Sequence, residues 1–137
     1  MNKIFLDINI VLDLIDTTRK GHLDAQNILK YVIGNDIEIA ISEDMLSTIF
    51  YIIKDKKSVL NFFKVIKDDW DIIPFGKNVI EGALDICIQN DYDLEDVMQC
   101  LCAKENACDV LITNDRDFCS CGIECMNAGK FLNLANQ

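Results

Sequence analysis

The chain has little of several residue types on which common chemistries depend. Its 137 residues include one histidine, one proline and six glycines, and 23 acidic residues outnumber 13 basic ones. The single histidine, His22, argues against histidine acid–base catalysis. The sequence also contains no P-loop, no GxGxxG and no GxSxG motif. Nothing in it therefore points to the common nucleotide-binding or serine-hydrolase classes.

Long apolar runs are also missing. No stretch reaches the roughly 20 apolar residues that a membrane span needs, and Asp7 and Asp13 interrupt the hydrophobic pattern of the first 15 residues. We therefore expect neither a signal peptide nor a membrane segment. The seven cysteines are an odd number without a secretion signal. This favours the reducing cytoplasm, with most thiols acting as small buried apolar groups.

The net charge of −10 argues against a protein that coats nucleic acid indiscriminately. It does not exclude a nuclease, because carboxylates that hold a metal count toward that charge. The positive charge that could meet a phosphate backbone is local, and it lies at Arg19, Lys20, Lys54, Lys56, Lys57 and Arg116. Each of these could equally be a solvated surface charge.

Short apolar runs alternate with helical patterns along the whole chain. The pattern predicts strands at residues 3–6, 37–41, 70–73, 110–112 and 123–126, with helices between them. It also predicts helix N-caps at Ser42 and Asn78 and a break between two helices at residues 55–58. Such alternation is typical of a parallel sheet with helices on both faces. We predict one domain, residues 1–137, with a three-layer α/β/α fold and a short-stranded, mostly parallel central sheet.

Three acids stand at the ends of these buried elements. Asp7 follows the first strand, Asp115 follows the strand at 110–112, and Asp96 starts the helix that leads into that strand. Bringing them together is costly unless a cation lies between them, and hard oxygen ligands suit Mg²⁺ or Mn²⁺. Asn9 could orient Asp7. The alternatives are that Asp96 only stabilises a helix N-terminus and that Asp115 is a turn residue.

The cysteines offer a second, weaker metal site. Cys119, Cys121 and Cys125, with Cys108 upstream, could bind zinc. The segment lacks paired CxxC spacing and a nearby histidine, so this site is a minor alternative.

Four segments together resemble the PIN domain, the fold of many toxin ribonucleases in bacterial toxin–antitoxin pairs. Residues 5–14 resemble the family's opening, a strand followed by Asp-x-Asn and an apolar helix. Residues 41–53 resemble its second motif, and residues 93–99 and 102–118 resemble the third and fourth, which are the most specific. The match runs nearly from end to end.

The resemblance implies roles for individual residues. Asp7, Asp96 and Asp115 would be the catalytic acids that hold the metal, and polar residues at Asn9, Thr113 and Asp117 would support them. The departure is at Thr48, where most active members carry a glutamate. Thr48-Ile49-Phe50-Tyr51 resembles a branch of the family that lacks it, and Glu43 or Asp44, one turn earlier, could compensate. Arg116 and the lysines at 54, 56 and 57 would guide the RNA backbone.

The expected function is an endoribonuclease that depends on Mg²⁺ or Mn²⁺, acts in the cytoplasm and is the toxin of a toxin–antitoxin pair. RNA would be its substrate, an antitoxin its protein partner, and a homodimer its assembly. One alternative is a catalytically degenerate PIN domain that binds protein or RNA without cutting it. Another is a metal-dependent phosphatase or DNA nuclease on the same scaffold.

Overall fold

One parallel sheet organises the part of the chain that the computed structural model describes, residues 1–118 and 121–137. Its strands follow the spatial order β3-β2-β1-β4-β5, and every neighbouring pair is parallel. The strands are β1 (Lys3–Leu6), β2 (Glu38–Ser42), β3 (Asp71–Ile73), β4 (Val110–Ile112) and β5 (Glu124–Met126). The prediction of a short-stranded parallel sheet is confirmed.

Helices connect the strands and cover both faces of the sheet. They are α1 (Ile8–Ile15), α2 (His22–Gly34), α3 (Asp44–Ile52), α4 (Lys56–Ile66), α5 (Gly76–Asn90), α6 (Leu94–Glu105) and α7 (Ala128–Ala135). From β1 the chain adds β2 and then β3 on one side of β1, and after β3 it crosses back to form β4 on the other side of β1. Right-handed crossovers therefore place α1 to α4 on one face and α5 and α6 on the other. The contacts of α1 with α2 and of α5 with α6 agree with this arrangement.

The order of the strands reverses at β1, which pairs with β2 on one side and β4 on the other. Open parallel sheets bind ligands beyond the carboxyl ends of the strands at such a reversal. The register pairs Leu6 with Ile112, so the next residues, Asp7 and Thr113, leave the sheet side by side. The topology thus fixes where two of the predicted site residues lie.

Apart from Lys3 at the start of β1, the central strands β1 and β4 are apolar because helices bury both of their faces. Ile4 and Phe5 of β1 and Leu111 and Ile112 of β4 are all fully buried. Strands without a solvated face show no alternating pattern, which is why each of them reads as a short continuous apolar run.

Three predicted helix boundaries are wrong. Ser42 is the last residue of β2, because its strand continues into a pair with Ile73, and α3 begins at Asp44. Asn78 lies inside the first turn of α5, which begins at Gly76. The break at residues 55–58 is shorter than predicted, because the Asp55 side chain accepts a hydrogen bond from the Ser58 backbone N–H at 3.2 Å and starts α4 at Lys56.

Among the described residues, no helix has the length and apolar composition that crossing a membrane requires.

Candidate active site

A hydrogen-bonded group of side chains joins the ends of β1 and β4. The Thr113 hydroxyl donates to Asp7 Oδ2 at 2.8 Å, and the Ile8 backbone N–H donates to Asp7 Oδ1 at 2.8 Å. Thr113 Oγ1 in turn accepts the backbone N–H of Asp115 at 3.1 Å. Asp7 is therefore both the N-cap of α1 and the centre of a network that also positions Asp115.

The Asp7 carboxylate is held where its charge is unfavourable. Burial raises its pKa, and the nearby charge of Asp115 raises it further. The hydrogen bonds from Thr113 and Ile8 lower the pKa in part, and the net pKa remains above its usual value. A buried carboxylate with another acid beside it gains from a cation, which is the property expected of a metal-binding aspartate.

Helix α6 brings further acids to the same edge. Asp93 is its N-cap, and its side chain accepts the backbone N–H of Asp96 at 3.0 Å. The capping role that was the alternative for Asp96 therefore belongs to Asp93. Asp96 is half-buried and lies one turn before Cys100, which is fully buried, so it is on a side of the helix that faces the protein. That its carboxylate joins Asp7 and Asp115 stays a prediction.

Sequence reasoning did not assign Glu95 to the site. Burial raises the pKa of its carboxyl, and the charges of Asp44, Asp93 and Asp7 raise it further. The Gln99 amide, which is 2% exposed, donates to Glu95 Oε1 at 3.3 Å and lowers the pKa in part. A glutamate beside Asp96 in sequence looks like a second surface charge of the first helical turn. Glu95 is indeed exposed, and only its hydrogen bond with the buried Gln99, one turn later, connects it to the inward side of the helix.

The start of α3 supplies another acid, Asp44. Its Oδ1 atom is buried and has no hydrogen-bond partner among the described residues. Glu43, which precedes the helix, is exposed, and so is Thr48, whose hydroxyl donates to the Asp44 carbonyl at 3.4 Å. Of the two acids that could stand in for the missing glutamate, Asp44 is therefore the one that turns inward.

The charges of several of these acids act on one another: Asp115 on Asp7, and Asp44, Asp93 and Asp7 on Glu95. Within residues 1–118 and 121–137, no group of three histidine, cysteine, aspartate or glutamate side chains is close enough to hold a metal ion. Mg²⁺ usually keeps several of its waters and is bound through one or two carboxylates. A cation at this edge would accordingly be held partly through water.

The basic residues divide into two groups. Arg19 and Lys20 line a cleft of about 600 Å³ together with Asn9, Asn114 and Asp115. The Arg19 guanidinium donates to Asp13 Oδ1 at 2.7 Å and to Asn9 Oδ1 at 3.4 Å. Arg116 lies beside Asp115 in an adjoining cleft of about 350 Å³. These cations border the acids directly.

The lysines after α3 are placed differently. Lys54 lines another cleft, of about 570 Å³, with Ile52 and Asp55, and of the first group only Arg19 borders it. The Lys56 ammonium donates to the carbonyls of Phe50 and Ile53 and lies over the Phe50 ring. Its charge thus already serves the C-terminal end of α3, while Lys57 is exposed.

Cysteines near the site form a pair that the sequence reading did not predict. Cys100 of α6 and Cys121 form a disulfide with their Cα atoms 5.9 Å apart, within the usual range for such bonds. The bond removes Cys121 from the possible zinc site, and Cys119 lies outside the described residues. Burial raises the pKa of Cys102 to about 12 and that of Cys108 to about 11, so these two are inert apolar groups, as predicted.

Comparisons with known proteins identify the family of the chain. The model of the PIN domain family matches residues 4–123. The chain is 32% identical over 133 residues to Ribonuclease VapC1 of Aquifex aeolicus (strain VF5), covering 94% of this chain and 92% of that protein.

Solved structures share the fold at lower identity. VapBC2 from Rickettsia felis, bound to a DNA fragment from its promoter, superposes with a TM-score of 0.68 at 20% identity over 91% of this chain and 98% of that one. Mycobacterium tuberculosis VapC20, described as a Sarcin-Ricin loop cleaving toxin, gives a TM-score of 0.70 at 13% identity, covering 88% and 95%.

Proposed function

The chain belongs to the PIN domain family, and on that premise we propose that it is a metal-dependent endoribonuclease, the toxin of a toxin–antitoxin pair. The observation that carries the proposal is the network of Asp7, Thr113 and Asp115 at the reversal of strand order. A relative 32% identical over nearly the whole chain is itself named a ribonuclease. The proposed site of action is the cytoplasm.

The donor atoms suit Mg²⁺ or Mn²⁺. The acids at this edge offer only carboxylate oxygens, and one of them, Asp44 Oδ1, is buried and unpartnered among the described residues. Asp7, Asp96 and Asp115 are the residues that would hold the ion. A divalent cation held there would make a bound water more acidic and would stabilise negative charge on a phosphodiester.

The chain's own residues would set the geometry of the reaction. Thr113 fixes the Asp7 carboxylate and the backbone of Asp115 at the same time. The Asp117 N–H donates to Asp115 Oδ1 at 2.9 Å and orients that carboxylate. Arg116, Arg19 and Lys20 border the acids and would bind RNA phosphates, because a guanidinium or ammonium group compensates their charge.

The lysines after α3 have a smaller part in this proposal. Lys54 and Lys57 would extend the basic path for a longer RNA, whereas Lys56 is engaged with backbone carbonyls. The proposed partners are an antitoxin protein, as in a toxin–antitoxin complex of similar fold from Klebsiella pneumoniae, and a second copy of the chain.

The alternative that the sequence left open is a PIN domain that binds RNA or protein without cutting it. The exposed Thr48 in place of a glutamate favours that alternative. The network around Asp7 favours catalysis, because a pure binding module gains nothing from burying a carboxylate within the field of a second one. A DNA nuclease or a phosphatase on the same scaffold would use the same acids and would differ only in its substrate.

The test is the variant Asp96→Asn, with Asp93→Asn as a matched control. Both remove one negative charge from the start of α6, and asparagine keeps the capping function at position 93. We expect Asp96→Asn to abolish Mn²⁺-dependent RNA cleavage and Asp93→Asn to retain it. In EDTA, Asp96→Asn should raise the free energy of unfolding by ~0.5–2 kcal/mol, because carboxylate repulsion is relieved.

The opposite results would contradict the proposal. If Asp96 only stabilises the helix dipole, its replacement should cost up to about 1 kcal/mol of stability in EDTA and leave cleavage unchanged. Parent protein that binds Mn²⁺ but cuts no RNA would support the binding-module alternative.

A further inference from the structure

The disulfide between Cys100 and Cys121 joins two parts of the chain that each carry a proposed site acid. Cys100 follows Asp96 by one turn of α6, and residues four apart lie on the same face of a helix. Cys121 comes shortly after residues 113–118, here called the Asp115 segment, through which the chain leaves β4. The bond is therefore placed to fix the Asp115 segment relative to the helix of Asp96.

The Asp115 segment is fastened on both sides. At its start, the Thr113 backbone N–H donates to the carbonyl of Met126 at 3.0 Å. Beyond its end, Cys121 is tied to α6 by the disulfide and by the Lys104 ammonium, which donates to the Cys121 carbonyl at 3.4 Å. Of these links, only the disulfide depends on the redox state of the surroundings.

The two sulfur atoms differ in their accessibility. Cys100 is 0% exposed, whereas Cys121 is half-buried, so a dissolved thiol reaches the Cys121 sulfur more easily. Attack on that sulfur releases Cys100 as a thiolate. The Cys121 backbone N–H donates to Cys100 Sγ at 2.9 Å, and a hydrogen bond to a leaving thiolate stabilises it. These contacts favour a bond that opens by exchange with a thiol.

A permanent disulfide would be unusual in the cytoplasm, the proposed site of action. Disulfides in a reducing cytoplasm are usually transient, and they sense the redox state or take part in catalysis. The sulfur atoms of Cys100 and Cys121 have no part in the proposed reaction at the acids. Redox sensing is therefore the role that fits this bond.

We propose that Cys100 and Cys121 form a reversible thiol–disulfide site whose oxidised state fixes the Asp115 segment to α6 and whose reduction lowers the activity. This inference rests on the proposed ribonuclease function. The co-reactant is a low-molecular-weight thiol of the glutathione class, together with its disulfide. Oxidising conditions would thus favour the ordered form of the site.

The exchange takes place in two balanced steps. A glutathione thiolate attacks Cys121 Sγ, the bond to Cys100 breaks, and the Cys100 thiolate takes up a proton. A second glutathione thiolate attacks the glutathione sulfur of this mixed disulfide, Cys121 leaves and takes up a proton, and glutathione disulfide forms. Two electrons pass from the glutathione molecules to the protein, and oxidation reverses the same steps.

The test is a redox titration of the full chain in mixtures of reduced and oxidised glutathione, read by thiol alkylation and mass spectrometry. We expect the pair to convert completely between two thiols and a disulfide across these mixtures. Hydrogen–deuterium exchange of residues 113–118 should be faster in the reduced protein, because a segment with fewer links opens more often. After glutathione is removed, Mn²⁺-dependent RNA cleavage should be about tenfold slower in the reduced protein and should recover on reoxidation.

Variants identify the sulfur atoms that respond. Cys121→Ser and Cys100→Ala should each behave as the reduced parent in every mixture. Cys119→Ser is the matched control, since it removes a thiol two positions away in sequence, and Cys87→Ser removes one from α5. Both controls should respond to glutathione as the parent does. Thermal unfolding checks that each variant folds.

Several results would overturn the inference. A bond that persists in excess reduced glutathione would be a permanent structural link, and thiols that stay apart in excess glutathione disulfide would be no redox pair. Equal hydrogen exchange of residues 113–118 in the two states, or equal cleavage rates in an active parent, would mean that the bond does not control the site.

The proposed function can fail separately. A parent that cuts no RNA in either redox state contradicts the ribonuclease. The glutathione titration and the hydrogen exchange then still decide whether the thiol–disulfide site exists and fixes the Asp115 segment.

Discussion

Asp7 is the residue in which folding and the proposed function are in conflict. It caps α1 through Ile8, which stabilises the fold. Its carboxylate is nevertheless 6% exposed and lies within the field of Asp115. A capping acid at the surface would avoid this burial cost. The cost therefore indicates that the position is kept for a ligand that compensates the charge.

The burial of Asp7 predicts that the stability of the protein depends on pH when no metal is bound. Because the pKa of Asp7 is raised above its ordinary value of 3.8, folded protein binds more protons than unfolded protein just above that pH. The contribution of Asp7 to stability is then greatest at low pH and is lost as the pH rises through the folded pKa. In EDTA, the free energy of unfolding of Asp7→Asn relative to the parent should accordingly increase from pH 4 to pH 7.

Asp109 supplies a control of opposite sign. The backbone N–H groups of Asn2 and Lys3 donate to its carboxylate and lower its pKa. Its contribution to stability is present above the ordinary pKa and is lost as the pH falls through the folded one. Asp109→Asn should therefore be destabilising at pH 7 and less so at pH 4, as measured by urea unfolding. If the stability of both variants relative to the parent changes with pH in the same direction, burial does not govern the pKa of Asp7.

At the scale of elements, α3 decides how the second motif works. The helix starts at Asp44, and Thr48 follows one turn later with its hydroxyl on the Asp44 carbonyl. Residues four apart lie on the same face of a helix. A glutamate side chain at position 48 would therefore lie on the face of Asp44 and would be long enough to reach beyond it. The variant Thr48→Glu tests whether such a side chain reaches the acids.

We expect Thr48→Glu to strengthen Mn²⁺ binding, because it adds a carboxylate ligand on the helix face of Asp44. Ser47→Glu is the control, because it adds the same charge on the same exposed turn but about 100° around the helix. Calorimetric titration of each variant measures the effect. Equal affinities for Thr48→Glu and Ser47→Glu would show that position 48 does not face the acids.

The helices and strands also show which features could be predicted from the sequence and which could not. The five strands and the acids at their ends could be predicted, because a buried parallel strand reads as an apolar run and an acid directly after it has few other duties. Helix starts could not, because Ser42 has the composition of an N-cap while its backbone still pairs with Ile73. Which of Glu43 and Asp44 turns inward depended on that same boundary. The sequence named both acids but could not distinguish the exposed one from the one with a buried oxygen atom.

At the scale of the whole molecule, the basic side chains were visible in sequence but their positions were not. Arg19 comes from the loop between α1 and α2, yet it shares a cleft with Asp115, almost one hundred residues later in the chain. Lys56 stands in the same basic run as Lys54 and Lys57, yet it is bound to carbonyls at the end of α3. Tertiary contacts of this kind leave no periodic signal.

The expected homodimer is also a property of the whole molecule. Ile80, Leu84 and Ile88 of α5 are 42%, 44% and 81% exposed and follow one another at every fourth position. An apolar stripe of this kind marks an interaction surface more often than a solvated one. An apolar interface would also let two chains of net charge −10 associate without setting their acidic residues against each other.

We therefore expect the parent to be a dimer in solution and Ile88→Lys to be a monomer, because a lysine within an apolar interface leaves a charge without a partner. Light scattering after size exclusion at several protein concentrations measures the mass.

Ile33→Lys is the control, since Ile33 is 71% exposed on α2, on the opposite face of the sheet. If Ile33→Lys dissociates the dimer and Ile88→Lys does not, the chains pair through the α2 face. A parent that is monomeric at every concentration would mean that the α5 stripe is covered by a different protein, and the antitoxin is then the first partner to test.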